Sequence, residues 1–386
     1  MAQAANWNYP TSIRFGAGRI KELAQACAQV GIKNPLLVTD RDLASLPVTT
    51  KTLEHLVQDG LGGALFSDVD SNPTGENLDA GVEVYLGGGH DGVIAFGGGS
   101  GLDLGKLVAF QAGQERPVWD FEDVDDWWTR ARADAIAPII GVPTTAGTGS
   151  EVGRAGVLVK SDVREKKIIF HPKLLPSVVI SDPELTVGLP PHLTAATGLD
   201  AFIHCFEAFC APGYHPMADG IGLEGMRLCQ VALPVAYADG TDLEARGHML
   251  TAATMGASAF QKGLGGVHAI SHAVGAMYNT HHGLTNAIVL PYVLKANEAA
   301  ISDRMDVLAR VLNLSGKGFV GVLDWVLSLR QELGIPNTLK DIGVDDERID
   351  EIASLAHRDP SASTNPIALG IIDYGDVFRR CVNGQL

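Results

Sequence analysis

Long apolar runs are the first thing missing from this chain. Among its 386 residues no stretch approaches the ~18–20 needed to cross a bilayer, so a membrane span is not expected. Positive charge is short as well. The 29 Lys and Arg stand against 45 Asp and Glu, leaving a formal net charge of −16, which argues against nucleic acid or an acidic membrane surface as a partner. Cysteine is sparse: the 5 present (Cys27, Cys205, Cys210, Cys229 and Cys381) are scattered, odd in number and never spaced C-x-x-C. Disulfides are therefore not expected, and a reducing cytoplasm is the expected compartment. The chain does not open on a basic stretch followed by an apolar one, so no secretory signal is expected. Repeats and long low-complexity linkers are also lacking. What is abundant is apolar material, 46 % of residues, enough for two cores in a chain of this length.

The two halves differ in texture. In the first, short apolar runs at Leu36 to Thr39, Val93 to Phe96, Ile139 to Val142 and Val178 to Ser181 end at turn signals, with helical stretches such as Ile20 to Val30 between some of them. Strands alternating with helices imply a parallel sheet covered on both faces. Beyond Ser181-Asp182-Pro183-Glu184-Leu185-Thr186, apolar residues recur at helical spacing, as in Leu193 to Phe209, Met217 to Leu233, Leu243 to Phe260 and Met305 to Leu312. We expect an α/β domain over 1–186 and an all-α domain over 187–386. The segment Trp119 to Ala137, charged and containing Trp127-Trp128, reads as a surface excursion without an assigned role.

Two loops after expected strands are rich in glycine and hydroxyls. Val93 to Phe96 runs into Gly97-Gly98-Gly99-Ser100-Gly101 and then a helical stretch. Glycines allow close backbone approach, and free N–H groups at a helix start attract phosphate, which suits a dinucleotide pyrophosphate. The pattern is not a G-x-G-x-x-G near the chain start, so an ordinary Rossmann fingerprint does not apply. The second loop, Pro143 to Val152, offers Thr144, Thr145, Thr148 and Ser150, and such a loop can hold phosphate or ribose oxygens. Either loop alone could be a tight turn or a solvated connection. Two at the carboxyl ends of strands lie where an open α/β sheet binds ligands. Asp40 closes the expected strand Leu36 to Thr39, where a carboxylate bonds a ribose 2′-OH and repels a 2′-phosphate, favouring NAD over NADP; a simple turn Asp is the competing reading.

Histidines cluster in the second half. Asp200 and His204 lie four apart in an apolar helical stretch and so share a face. A carboxylate there needs compensation, which a metal ion supplies. His268 and His272 repeat the spacing, and His281-His282 follow a polar turn. A single histidine in such a setting is more often a hydrogen-bonded core residue than a ligand; the cluster favours a metal. Spacing alone leaves open which of His268, His272, His281 and His282 complete the set. Carboxylate plus imidazole suits Fe(II), Zn(II), Mn(II) or Co(II).

The chain resembles the iron-containing (group III) alcohol dehydrogenases almost end to end. The resemblance is carried by Ser12 to Gly18, Asn72-Pro73-Thr74, Gly97 to Asp103, Pro143 to Val152, Leu174-Leu175-Pro176, Asp182 to Thr186, Gly198 to His204, His268 to Gly275, His282 to Tyr292 and Thr364-Asn365-Pro366. It implies a dehydroquinate-synthase-like fold, a dinucleotide-binding α/β domain followed by an all-α metal-binding domain. It implies Asp200, His204, His268 and His282 as metal ligands, with Fe(II) the expected ion and Zn(II) the alternative, and His272 as the catalytic side chain beside the substrate. It gives Asp40, Asn72, Gly98, Gly99, Ser100, Asp103, Thr144, Thr145 and Thr148 to NAD (or NADP), joined by one of Lys166 and Lys167, with Lys166 favoured. Hydride transfer between the nicotinamide and a small alcohol, aldehyde or ketone, and a homo-oligomer, are implied with it. Two departures concern the substrate. Gly153-Arg154 stands where many relatives have Thr after Ser150-Glu151-Val152, and Ser361 stands where some have Cys. Arg154 is thereby a candidate for an anionic substrate tail, beside the plainer reading of a surface Arg.

Rival readings account for less. A cyclase on the same scaffold needs more Lys and Arg near the histidines. A metal-independent relative such as maleylacetate reductase does not need the intact ligand set. A metallohydrolase leaves the two loops unexplained, and a non-catalytic nucleotide sensor leaves the histidines without a task.

Overall fold

The computed structural model describes residue 9, residues 11–163 and residues 165–386. The described chain separates into two compact units, one of residues 9–145 and 149–188, the other of residues 146–148 and 189–386.

The first unit contains β1 (Ser12–Phe15), α1 (Leu23–Val30), β2 (Pro35–Val38), α2 (Arg41–Ala44), α3 (Pro47–Gln58), β3 (Ala64–Phe66), α4 (Gly75–Gly87), β4 (Gly92–Gly97), α5 (Gly99–Gln111), β5 (Ile139–Pro143), β6 (Ala155–Lys160), β7 (Glu165–Phe170) and β8 (Val178–Ser181). Six strands form one parallel sheet in the order β1-β8-β5-β4-β2-β3. Successive side chains of a strand point to opposite faces. Leu36, Val38, Val93, Ala95 and Ile139 pack with Leu78 of α4 and Leu104 and Val108 of α5, whereas Leu37, Ile94, Phe96, Ile140 and Val142 pack with Leu23 and Cys27 of α1 and Leu56 of α3. Burial on both faces is why these strands read as unbroken apolar runs.

All four expected strands are present, β2 and β4 each beginning one residue early. The short β1 and β3 lack such a run and were not expected. Nor was the antiparallel hairpin β6–β7, which pairs Ala155 with Phe170. The segment Trp119 to Ala137 lies largely at the surface, as expected, and is anchored near its start and middle: Val118, just before it, and Phe121 are buried, Phe121 meets Phe110 edge-on at 5.0 Å, and Trp128 lies edge-on to Phe170 and His171.

The second unit is built from α6 (Pro191–Cys210), α7 (Pro216–Ala238), α8 (Leu243–Ala259), α9 (Gly266–Tyr278), α10 (His282–Ala296), α11 (Glu298–Val311), α12 (Gly318–Glu332), α13 (Ile349–Arg358) and α14 (Ile371–Asn383). This is the helical region expected of the second half of the chain. Every residue of α6 from Gly198 to Cys210 is buried, so its polar side chains are enclosed by neighbouring helices. A Cβ on Gly256 of α8 would lie 2.9 Å from the His204 Cβ, so α8 approaches α6 this closely only because residue 256 has no side chain. Among the described residues no helix is long and apolar enough to cross a membrane.

A buried ionic network ties α5 to the chain after β5. Lys106, fully buried, donates from Nζ to the Ser150 carbonyl at 3.0 Å, to Ser150 Oγ at 2.6 Å and to the Ala155 carbonyl. Its ammonium lies 3.2 Å from Asp103 Oδ1, Ser150 Oγ donates to that same oxygen, and Asp103 Oδ2 accepts from the Val157 N–H at 3.0 Å. Breaking one side of a buried pair typically costs about 3–5 kcal/mol, because the partner charge is left stranded. Lys106→Ala is expected to lower unfolding stability by about 3 kcal/mol, read from the urea midpoint. A loss below about 1 kcal/mol would mean that Asp103 finds other solvation.

Candidate metal centre and cofactor loops

Three helices bring the candidate ligands together. α6 carries Asp200 and His204 one turn apart, α9 carries His268, and α10 begins with His282. Asp200, His204, His268 and His282 each offer a ligand atom, and these atoms all lie within 4.8 Å of one another. Asp200 Oδ1 is 3.9 Å from His268 Nε2 and 3.7 Å from His282 Nε2. Both separations are below twice the roughly 2.1 Å of a first-row metal–nitrogen bond, so one ion can touch both groups. Asp200, His204 and His268 are buried, and no Lys or Arg forms an ion pair with Asp200 among the described residues.

Further observations fit a cation. His204 Nδ1 is buried without a hydrogen-bond partner among the described residues. Asn286 Nδ2, one turn along α10 from His282, lies 2.7 Å from Asp200 Oδ1, 3.2 Å from His268 Nε2 and 3.1 Å from His282 Nε2. An amide has two hydrogens for these three acceptors. The donor set is carboxylate and imidazole without thiolate, which suits a borderline divalent ion.

Neighbours orient the imidazoles. His268 Nδ1 lies 2.5 Å from Glu207 Oε2, and His282 Nδ1 lies 3.1 Å from Ser271 Oγ. His272 is outside the four, with its ring stacked on that of His282 at 5.3 Å and its Nδ1 2.9 Å from Asp359 Oδ2. Burial alone would raise the Asp359 carboxyl, but His272 and the Ser361 N–H outweigh it and hold the pKa below its ordinary value. Burial likewise pushes His268 down, yet Glu207 and Asp200 more than offset this and the net shift is upward. His281, left as an alternative by spacing, caps α10 instead, accepting from the Leu284 N–H at 3.2 Å.

The sheet unit gathers the expected cofactor residues at the carboxyl ends of β2, β4 and β5, which are neighbours in the order β5-β4-β2. From β2 the chain runs outward to β3, then returns to β4 and continues on the other side, so the β2–β4 boundary is a topological switch point. Asp40 follows β2, accepts from the Leu43 N–H at 2.9 Å as the N-cap of α2, and its Oδ2 would lie 3.5 Å from a Cβ on Gly97. Gly97 has φ +129°, a conformation that excludes an ordinary side chain. Gly98 is the N-cap of α5 and provides no side-chain cap, leaving the N–H groups around Gly99 and Ser100 open to an anion. Ser100 Oγ donates to the Ser71 carbonyl at 2.6 Å, which draws the turn carrying Asn72 to this helix start. Thr145 packs on Gly98, while Thr144 Oγ1 and Thr39 Oγ1 are buried without hydrogen-bond partners among the described residues. Open helix N–H groups and unpaired hydroxyls fit a phosphate- and ribose-bearing ligand.

Three expected residues have a different setting. Asp103 has both carboxylate oxygens engaged in the network with Lys106, Ser150 and Val157. Thr148 groups with the helical unit, not with Thr144 and Thr145; beside it Gly147 packs on Thr197 of α6. Lys167 pairs with Glu165 at 2.8 Å and Glu122 at 3.7 Å, whereas Lys166 points to the opposite face of β7. Arg154, the candidate for an anionic tail, lies over the Phe170 ring at 5.5 Å and faces Asp123.

Sequence reasoning missed Glu207, Asn286 and Asp359. The first two had a signal: Glu207 follows Asp200 by seven residues on the same face of α6, and Asn286 follows His282 by four. Asp359 had none, being far from His272 in sequence. The Thr364-Asn365 motif supports α9: Thr364 Oγ1 donates to the Leu264 carbonyl at 2.9 Å, and Asn365 Oδ1 accepts from the Gly266 N–H at 2.9 Å.

Burial lowers the His204 pKa to about 4, with Asp200 opposing only in part. An exposed or unfolded histidine titrates near 6.5. In the metal-free protein His204 should thus stay neutral at pH 5 and protonate only near 4. The stability that neutral, buried His204 contributes is present above about pH 6.5 and is lost as pH falls towards 4, because the unfolded chain takes up the proton first. Ring resonances followed by NMR check this; a midpoint near 6.5 would mean that His204 is solvated.

The family profile described as "Iron-containing alcohol dehydrogenase" matches residues 10–183, and "Fe-containing alcohol dehydrogenase family, C-terminal" matches residues 194–379. The chain is 38% identical over 376 residues to the 4-hydroxybutyrate dehydrogenase of Cupriavidus necator, covering 95% of this chain and 97% of that one. It is 34% identical over 375 residues to the 1,3-propanediol dehydrogenase of Klebsiella pneumoniae, covering 95% of this chain and 96% of that one. The crystal structure of a 1,3-propanediol oxidoreductase superposes with a TM-score of 0.92 at 32% identity, covering 98% of this chain and 100% of the other. With both halves matched and the relatives covered nearly end to end, the chain belongs to the iron-containing alcohol dehydrogenase family.

Proposed function

We propose that this alcohol oxidoreductase holds one divalent ion, Fe(II) in preference to Zn(II), on Asp200, His204, His268 and His282, and uses NAD in preference to NADP. The observation that carries the reading is the set of four ligand atoms within 4.8 Å of one another. In this proposal residues 1–186 bind the dinucleotide and residues 187–386 the metal. Gly98, Gly99, Ser100 and Asn72 face the pyrophosphate, Thr144, Thr145, Thr148 and Lys166 contact other parts of the cofactor, and Asp40 takes the ribose hydroxyls. Asp103 serves the cofactor indirectly, by fixing the start of α5. When bound, the ion supplies Lewis acidity that favours ionisation of an alcohol hydroxyl near neutral pH, and the nicotinamide supplies the hydride acceptor.

The chain's own residues supply the proton path and the positioning. The His272 Nδ1–H donates to Asp359, leaving Nε2 as the acceptor for the substrate proton in oxidation and as its donor in reduction. The substrates are small primary alcohols and their aldehydes. The relatives support this breadth, being named for 4-hydroxybutyrate, methanol and 1,3-propanediol. A reducing cytoplasm fits five free, buried cysteines. A homo-oligomer completes the proposal: β1 is an edge strand of the sheet, and its Phe15 is exposed.

The test strips the protein of metal, reloads it with Fe(II) or Zn(II) without oxygen, and follows nicotinamide absorbance with NAD or NADP and a panel of alcohols and aldehydes. Metal-dependent turnover with preference for NAD is expected. His268→Ala should lose tight metal binding and turnover together, with the weaker affinity of the three remaining ligands still measurable. His272→Ala should keep its metal and lose about 10²–10⁴ in turnover, the usual worth of a general acid or base. Full activity of metal-free His268→Ala would overturn the proposal.

A further inference from the structure

Glu207 is a buried carboxylate that the reaction proposed above leaves without a task. Seven residues after Asp200 and three after His204, it faces the same side of α6. It is not one of the four grouped ligands, and both of its oxygens are engaged elsewhere. Oε2 lies 2.5 Å from His268 Nδ1, and Oε1 accepts from the Val267 N–H at 2.7 Å. Val267 and His268 stand in the first turn of α9, where backbone N–H groups lack helical partners. One carboxylate thus caps this helix and holds the ring of the adjacent histidine.

The surroundings demand a carboxylate and not an amide. The two contacts fall on different oxygens and both come from N–H donors, so both oxygens must accept. Glutamine offers one accepting oxygen and one donating NH₂, so a donor would face a donor on one side. The space is specific too: a Cβ on Gly265 would come within 2.8 Å of Glu207 Oε1. Only a residue without a side chain leaves the carboxylate in place.

We propose that Glu207 is a positioning residue for the metal centre, fixing His268 in the tautomer that carries its proton on Nδ1 and presents the Nε2 lone pair towards Asp200 and His282. The inference rests on the metal reading given above. A carboxylate behind a ligating imidazole fixes the ring and raises its basicity, and removing such a partner typically costs 10–100-fold in metal affinity. α6 therefore contributes two ligands and also sets the orientation of a third that belongs to α9.

Zn(II) affinity, measured by competition with a chromophoric chelator on metal-stripped protein, tests this without reference to turnover. Glu207→Gln is expected to weaken Zn(II) binding about 10–100-fold. Glu207→Asp, which keeps the charge but shortens the reach, should also bind more weakly than wild type; it replaces Glu207→Gln if circular dichroism shows that variant unfolded. The decisive arm is a double-mutant cycle with His268→Ala. Once His268 is absent, Glu207→Gln should cost no further affinity. The same loss in both backgrounds would mean that Glu207 acts by general packing, and wild-type affinity in folded Glu207→Gln and Glu207→Asp would overturn the inference outright. A wild-type protein that takes up no Zn(II) or Fe(II) would instead bring down the metal reading, and this inference with it.

Discussion

Burial of negative charge in the middle of an apolar helix is the constraint on which the helical unit turns. Asp200 and Glu207 lie on one face of α6, with every residue from Gly198 to Cys210 enclosed. Carboxylates removed from water are costly unless positive charge or several donors compensate them. Among the described residues no lysine or arginine pairs with Asp200; amide and imidazole nitrogens lie beside it. Glu207 receives the first-turn N–H of α9 and the imidazole next to it. The arrangement leaves a deficit of positive charge at the point where four ligand atoms meet, which is the electrostatic condition for binding a cation.

The sheet unit meets its own constraint in a different way. A parallel sheet buried on both faces spends its side chains on two cores, and ligand-binding capacity is left to the loops at the carboxyl ends. There the chain offers backbone donors, as at the uncapped start of α5, and hydroxyls such as Thr39 and Thr144. A buried ion pair near these loops, Lys106 with Asp103, is internally satisfied and acts as a clamp between α5 and the loop after β5. Gly97, with a positive φ that glycine adopts without strain, sits where β4 leaves the sheet. Rigidity beneath and open donors above suit a site for a flexible, phosphorylated ligand.

Much of this was legible in the sequence, for identifiable reasons. The buried strands showed themselves as unbroken apolar runs, and the long helices by their period. Asp200 and His204 were visible as a pair because a helix repeats its face every three to four residues. Glu207 obeys the same rule and was overlooked because a glutamate on a helix is ordinarily solvated; nothing local says that α6 is enclosed on all sides. The edge strands β1 and β3 and the hairpin β6–β7 escaped because their apolar residues are few or interspersed with polar ones, and hairpin pairing is set by contacts across strands. Trp119 to Ala137 read correctly as a surface excursion, but its anchoring was not legible because the ring contacts that hold it come from Phe110, Phe170 and His171.

The sequence by itself determined whatever depends on neighbours along the chain: strand against helix, the glycine turn at 97–101, the helix face shared by Asp200 and His204, and a charge balance unfavourable to polyanions. The tertiary structure alone decided what depends on residues far apart. It set the order β5-β4-β2 that gathers Asp40, Gly98 and Thr144 at one edge. It grouped His282 with Asp200 while giving His281 to a helix cap, and it brought Asp359 to His272 and Glu207 to His268. The physical reason is range. Helical and strand periodicity are fixed by bonds and sterics over a few residues, whereas these pairings depend on which buried surfaces and polar groups satisfy one another once the helices have packed.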